Sequence, residues 1–258
     1  MEDAHICEEI TLPNNEKVSV YGVFDGHGGK EVAEFAEKNF TKMLQANAKF
    51  KSLNFEEALE ETFMSLDAKL EAEEYATDTG STSCVVLITQ DHIYCANAGD
   101  SRAVLCRDGK TIPLSNDHKP DLTEEENRIK NANHFVSDQR VDGNLALSRA
   151  FGDYQYKDMK NLSPQLQAVT AQPIVQKEQR TGGEEFIINA CDGIWDCKTN
   201  EECVEYIKEK LKAKNEPKDV CGVVEHLFSD ILATDTESGI GTDNMTAILI
   251  KFNKGTAK

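Results

Sequence analysis

The spacing of hydrophobic and polar positions changes several times along the chain. From Val18 to Phe24, β-branched and aromatic residues run without interruption up to Asp25, and Gly26, Gly28 and Gly29 then permit a tight backbone, so a strand and a turn are predicted. Beyond the turn the period becomes helical: Val32, Phe35, Ala36, Phe40, Met43 and Leu44 share one face, with Glu31, Glu34, Glu37 and Lys38 opposite. A second helix is predicted to open at Asn54, capped by that side chain and by Glu57 in a capping box, with an apolar stripe of Phe55, Leu59, Phe63, Leu66 and Leu70. Short strand-like runs follow at 83–89, 92–97, 102–106 and 111–114, separated by turn residues, and read as antiparallel hairpins.

After Asp117 the pattern turns polar. Thr123-x-x-Glu126 suggests a short capped helix inside an irregular, mobile surface subdomain that continues to about Ala168. Strands are expected again at 186–190 and 245–252, and helices at 201–212 (Val204, Ile207, Leu211) and 218–232 (Val220, Val223, Leu227, Ile231). Hairpins and helices sharing one core predict sheet layers faced by helices rather than a βαβ array. Asp108-Gly109 and Asp142-Gly143 read as ordinary turns. Gly109-Lys110-Thr111 fails as a phosphate loop because Val104 stands where a glycine is required. The stretch 235–246 fails as a calcium loop because its twelfth position is Thr246.

Composition narrows the possibilities. The 258 residues carry 46 acidic against 28 basic side chains, a formal charge of −18, which disfavours a broad footprint for nucleic acid or anionic lipid. The eight cysteines are scattered without a C-x-x-C pair, so free thiols in a reducing compartment are expected. No apolar run approaches the roughly 20 residues of a membrane-spanning helix, and no leading segment resembles a signal peptide, so a soluble protein is expected. Cys191 reads as a small buried hydrophobe and Trp195 as a core anchor, while His5, His92, His118, His134 and His226 receive structural readings.

The chemistry lies in acidic residues. Asp25, Asp192 and Asp243 each stand where a strand is expected to end, and Asp100 and Asp196 can join them if those strands are neighbours. Carboxylates about 4 Å apart repel by roughly 4 kcal/mol per pair at an effective dielectric of 20, so a cluster calls for a cation. The donors are all oxygen, which favours Mg²⁺ or Mn²⁺ over Zn²⁺. Two such ions sharing Asp25 would acidify a bridging water and set it in line with phosphorus, which describes phosphate ester hydrolysis. His27, which taken alone reads as a turn or core histidine, could then protonate the leaving oxygen.

Met1-Glu2-Asp3-Ala4-His5, Val-Phe-Asp25-Gly26-His27-Gly28-Gly29, Gly80-Ser81-Thr82, Gly99-Asp100-Ser101-Arg102, Asp117-His118-Lys119-Pro120, Leu147-Ser148-Arg149-Ala150-Phe151-Gly152-Asp153, Cys191-Asp192-Gly193-Ile194-Trp195-Asp196 and Thr242-Asp243-Asn244-Met245 together resemble the metal-dependent serine/threonine protein phosphatases of type 2C. The resemblance spans essentially the whole chain. It implies an α+β fold, a four-layer α-β-β-α sandwich of two packed antiparallel sheets flanked by antiparallel helix pairs, forming a single domain over 1–258 with a flap subdomain at about 117–168. It also implies two Mn²⁺ or Mg²⁺ ions and a weaker third. Asp25 would bridge the pair, the Gly26 carbonyl would bind the second ion, Asp192 and Asp243 the first, and Glu2 and Asp3 would act through water. Asp100, Asp192 and Asp196 would hold the third ion, and His27 would be the general acid.

The implied reaction is hydrolysis of phosphoserine and phosphothreonine in phosphorylated protein substrates, by direct attack of water without a phosphoenzyme. A monomer in the cytoplasm or nucleus is expected, in signalling, with neither nucleic acid nor membrane as partner. The family pattern has a strand and a phosphate-gripping arginine ahead of Met-Glu-Asp, where this chain begins. A weakened grip on phosphate, an unpaired sheet edge and fraying of Glu2 and Asp3 are therefore expected. Residues 131–136 also replace a Gly-Gly pair, which predicts a flap of different shape. Two other readings stand beside the enzyme: a catalytically weak phosphatase-like module that acts by binding proteins, and a nuclease, which the negative charge disfavours. The sequence names no substrate-binding residue.

Overall fold

The computed structural model describes residues 1–212, 220–235 and 239–253. Strands β1 (Ala4–Thr11), β2 (Lys17–Phe24) and the two-residue β3 (Gly26–His27) precede helices α1 (Glu31–Ala46), α2 (Ala48–Lys51) and α3 (Phe55–Leu70). Then come β4 (Gly80–Ser81), β5 (Ser83–Ile88), β6 (His92–Ala98), β7 (Arg102–Arg107) and β8 (Lys110–Pro113). Helix α4 (Thr123–Asn131) and the short pieces β9 (Val136–Ser137), β10 (Arg140–Val141) and β11 (Phe151–Gly152) lead to β12 (Ile174–Gln179) and β13 (Glu184–Ala190). The turn of helix α5 (Asp192–Trp195), then α6 (Asn200–Lys212), α7 (Val220–Ile231) and β14 (Ala247–Lys251) complete the described elements. Residues 218 and 219 of the expected helix lie outside the described residues.

Among the described residues, β1-β2-β5-β6-β12 form one antiparallel sheet and β14-β13-β7-β8 another, with a small ribbon β11-β4-β3 beside them. The period-2 alternation of the strands sorts their side chains into separate cores. On β5, Val85 and Leu87 pack in one cluster with Phe40, Leu44, Phe63 and Leu66 of α1 and α3. Cys84, Val86 and Ile88 point the other way and meet Leu105, Ile187 and Ile250 of the second sheet. Phe186, Ile188 and Ala190 of β13 pack with Val204, Ile207, Val223 and Leu227 of α6 and α7. Helices therefore cover the outer face of each sheet, and a shared apolar layer joins the two. Phe40 is the hinge of the first cluster, with its ring centroid 6.1 Å from that of Phe24 and 5.3 Å from that of Phe63, the latter edge-on.

Several local expectations are corrected. Asn54 makes no side-chain cap on α3; the cap belongs to the preceding helix, where Asn47 accepts from the Lys49 and Phe50 amides at 2.7 and 3.2 Å. Thr123 is the first residue of α4 and not its cap, a place taken by Leu122 without a side-chain bond. Strands β1 and β12 have no counterpart in the sequence reading. Both are edge strands, β1 burying only Ala4, Ile6 and Ile10 and β12 no residue fully, so backbone pairing rather than an apolar run defines them. The last strand is shorter than expected, and Asp243 precedes it instead of ending a strand.

The region from 117 to 168 is irregular, as read, but it is packed. Ile129, Ala132, Val141, Leu147, Ala150 and Tyr156 form a cluster of their own with Ala168 and Val169. At its root, buried Glu125 accepts from Arg149 at 2.6 Å, Arg128 at 2.8 Å and the Ser148 hydroxyl at 2.6 Å. Buried Asp67 on α3 accepts from Lys157 Nζ at 2.8 Å and from the Gly152 amide at 2.9 Å, which ties the region to the first helix layer.

Candidate active site

The ends of both sheets deliver carboxylates to one place. Asp25 follows β2, Asp100 lies in the turn between β6 and β7, Asp192 opens α5 just beyond β13, and Asp243 lies ahead of β14. Gly193 permits this last approach, because a Cβ there would stand 2.1 Å from the Asn244 carbonyl oxygen. Glu2, Asp25, Gly26, His27, Asp100, Asp192 and Asp243 line a cavity of about 420 Å³, together with Thr82, Arg140, Asp153 and Tyr156. Asp3 and Asp196 are not on its wall. Their charges still reach it, Asp3 acting on Asp25 and Asp196 on Asp192.

Glu2 and Asp3 are held in position instead of fraying. The Glu2 amide donates to Asn244 Oδ1 at 2.8 Å, the Thr246 hydroxyl donates to Asp3 Oδ2 at 2.7 Å, and Ala4 already pairs with Phe24. The Asp25 backbone is fixed on both sides by Thr82, whose amide donates to the Asp25 carbonyl at 2.9 Å and whose hydroxyl accepts from the Asp25 amide at 3.3 Å.

Crowding shows in the acidities. Burial, reinforced by Asp192, Asp3, Asp100 and Asp243, pushes the Asp25 carboxyl up to about 10. Burial with Asp100, Asp196 and Asp243 raises Asp192 to about 7, against the pull of Lys119. Lys119 Nζ donates to Asp100 Oδ2 at 2.5 Å, so one cation offsets part of the charge. Asp3 Oδ1 and Asp100 Oδ1 are buried with no hydrogen-bond partner among the described residues. As placed, no three His, Cys, Asp or Glu side chains among the described residues close into a group that could hold a metal ion. The donor chemistry nonetheless fits a hard divalent cation: the oxygens are carboxylate, some lack any partner, and their mutual repulsion needs positive charge.

His27 lies on the same wall, with Nε2 2.7 Å from Asp153 Oδ2. Burial disfavours its cationic form, but Asp153, Asp100 and Glu2 outweigh that and hold its pKa above the ordinary value. Cys191 is fully buried, and burial with the charge of Asp25 drives its thiol far up, which leaves it inert as read. Trp195 donates from Nε1 to the Ala190 carbonyl at 2.8 Å and anchors α5. Asp153, Lys119, Asn244 and Thr246 stood in or beside the motifs without a role, and Arg140 stood outside them. The partners of the first four lie 19 to 243 residues away, and no local pattern carries that pairing.

The sequence profile described as "Protein phosphatase 2C" matches residues 1–237. The chain belongs to this family. The 2C-family relatives include "Protein phosphatase 2C homolog 2" of Hypocrea jecorina, 43% identical over all of this chain and 60% of that protein, so the chain spans less than two thirds of that relative's length. "Probable protein phosphatase 2C 3" of Paramecium tetraurelia is 44% identical over 98% of this chain and 88% of its own. Among solved structures, a phosphatase from a pathogenic strain of Toxoplasma gondii superposes with a TM-score of 0.83 at 24% identity, covering 98% of this chain and 88% of that one. The serine-threonine phosphatase 2C from Toxoplasma gondii gives 0.78 at 19% identity over 97% and 94%. These two share the 2C fold with this chain. Among the described residues, no helix is long and apolar enough to cross a membrane.

Proposed function

We propose that this 2C-family chain is a Mn²⁺- or Mg²⁺-dependent phosphatase that hydrolyses phosphoserine and phosphothreonine in proteins. The observation that carries the reading is the convergence of Asp25, Asp100, Asp192 and Asp243 with His27 on one cavity. Asp25, Asp192, Asp243 and the Gly26 carbonyl would hold a pair of ions, with Glu2 and Asp3 beside them, and Asp100, Asp192 and Asp196 a weaker third. When bound, such ions lower the pKa of water and draw negative charge from phosphate. The protein's own groups do the rest. Thr82 fixes the Asp25 backbone, Lys119 orients Asp100, and His27 delivers a proton to the leaving oxygen.

Arg140 supplies a cation on the cavity wall, its Nη1 donating to the Asn144 carbonyl at 2.7 Å. It favours catalysis over a phosphate-blind binding module, because it provides a charge for the substrate phosphate. A charge-assisted contact is worth about 1.5–3 kcal/mol, so Arg140→Ala is expected to raise KM roughly ten- to a hundredfold.

The test is phosphate release from a phosphothreonine peptide with Mn²⁺ and with chelator. Turnover that appears with metal and vanishes with chelator is expected; none at any substrate concentration returns the chain to the binding-module reading. Asp192→Asn is expected to abolish the metal-dependent rate while the circular dichroism stays unchanged. A full rate in that variant would remove Asp192 from the centre.

A further inference from the structure

Three two-residue strands set His27 against a buried acid. In the ribbon β11-β4-β3, His27 pairs with Gly80 and Gly80 pairs with Gly152, so the residue after Gly152 arrives beside the imidazole. That residue is Asp153, which is 1% exposed and has no lysine or arginine ion-pair partner among the described residues. Its backbone takes the left-handed conformation, φ 55 and ψ 40, directly after Gly152 at φ 71. A side-chain-bearing residue stays there only when its surroundings over-determine it. They do: the Asp153 amide donates to the Thr79 carbonyl, the Tyr156 amide donates to the Asp153 carbonyl, both at 2.9 Å, and the Gly152 amide is bound by Asp67.

Gly80 leaves the room. A Cβ at that position would stand 2.2 Å from Asp153 Oδ2 and 2.5 Å from His27 Nε2, so any other residue would drive the pair apart. Nε2 is committed to Asp153, whereas Nδ1 of the same ring has no hydrogen-bond partner among the described residues, and the ring lines the cavity. We propose that Asp153 is a positioning residue that locks the His27 ring in one tautomer and one orientation, so that Nδ1 is the nitrogen serving the leaving oxygen.

The inference rests on the phosphatase reading and on His27 as its acid. As the oxygen of water bonds to phosphorus, the bond from phosphorus to the serine or threonine oxygen breaks and its electron pair stays on that oxygen. The oxygen takes the proton from Nδ1. The neutral ring keeps its Nε2 proton toward Asp153, and the proton shed by the attacking water restores Nδ1 through solvent. A carboxylate that holds a histidine tautomer in this way acts through the ring without touching the substrate.

The experiment compares phenyl phosphate, which needs leaving-group protonation, with 2,4-dinitrophenyl phosphate, which does not. Wild type, His27→Ala, Asp153→Asn and the double variant are assayed with Mn²⁺. Asp153→Asn is expected to lower kcat on phenyl phosphate about 10- to 100-fold and on the dinitrophenyl ester by less than about threefold, with KM little changed. The double variant is expected to be no slower than His27→Ala. Equal losses on both esters, or a further loss in the double variant, overturn the proposal. Absence of metal-dependent turnover in wild type would defeat the phosphatase reading itself, and an unselective His27→Ala would defeat the acid role. Independently of turnover and of whether any variant folds, long-range ¹H–¹⁵N NMR of the Mg²⁺-loaded wild type under alkaline conditions should show the His27 proton on Nε2. A proton on Nδ1 overturns the proposal.

Discussion

At the scale of single residues, Asp25 sets the tension between stability and chemistry. Its carboxyl, pushed up to about 10 by burial and four neighbouring carboxylates, costs the metal-free fold stability at every pH above its ordinary 3.8, because the fold must bind a proton that the unfolded chain gives up. Asp25→Asn keeps the shape and removes the need to bind that proton. The chelated variant is therefore expected to melt several degrees above chelated wild type, by calorimetry, and to lose the stabilisation that Mn²⁺ gives. For wild type, metal at a hundred times its Kd should add about 2.7 kcal/mol. A variant that melts lower than wild type in chelator, or that keeps the full metal-induced rise, would contradict this account.

At the scale of elements, the helices that cover the first sheet are held by shape. Phe40 is fully buried between Phe24 and Phe63. Phe40→Ala should cost about 3–5 kcal/mol, read from the midpoint of urea unfolding, a large part of the 5–15 kcal/mol that such domains possess. A loss below about 1 kcal/mol would mean that α1 and α3 collapse into the space without penalty. The elements legible in the sequence are those whose apolar side chains repeat at one period, such as α1, β2 and β5. Strand β1 was not legible, because His5, Cys7, Glu8 and Glu9 face outward and only its pairing with β2 makes it a strand. The cap at Asn47 was missed for a related reason: Asn47 and Asn54 offer the same chemistry, and only the path of the chain decides which meets free amides.

At the scale of the whole molecule, acid should loosen the region that overhangs the cavity. Burial pushes the Glu125 carboxyl up, but Arg149, Arg128 and Ser148 outweigh it and hold it at about 2, below the ordinary 4.5. Burial and Arg149 push the His118 imidazole down to about 4 from 6.5. Each group binds more protons unfolded than folded, so each contribution is complete above its ordinary pKa and fades as pH falls through the folded one. His118 should therefore lower the melting temperature from pH 6.5 toward 4, opposed in the metal-free protein by Asp25 and Asp192, whose raised carboxyls favour the fold as they take up protons, and Glu125 should lower it from 4.5 toward 2. Glu125→Gln should melt lower at neutral pH and fall less steeply below pH 4.5; an unchanged slope would mean that other carboxylates govern acid unfolding.

The order of residues alone determined the family, the alternation of strand and helix, and the carboxylates that stand beside glycine turns, because period and turn chemistry are local properties. Tertiary structure decided which charges share a cavity, since Asp25, Asp100, Asp192 and Asp243 meet only once two sheets have stacked and their strand ends coincide. It likewise decided that Asp153 belongs to His27. That pairing depends on Gly80 lying between two other short strands, and a contact spanning 126 residues leaves no trace in any window of sequence.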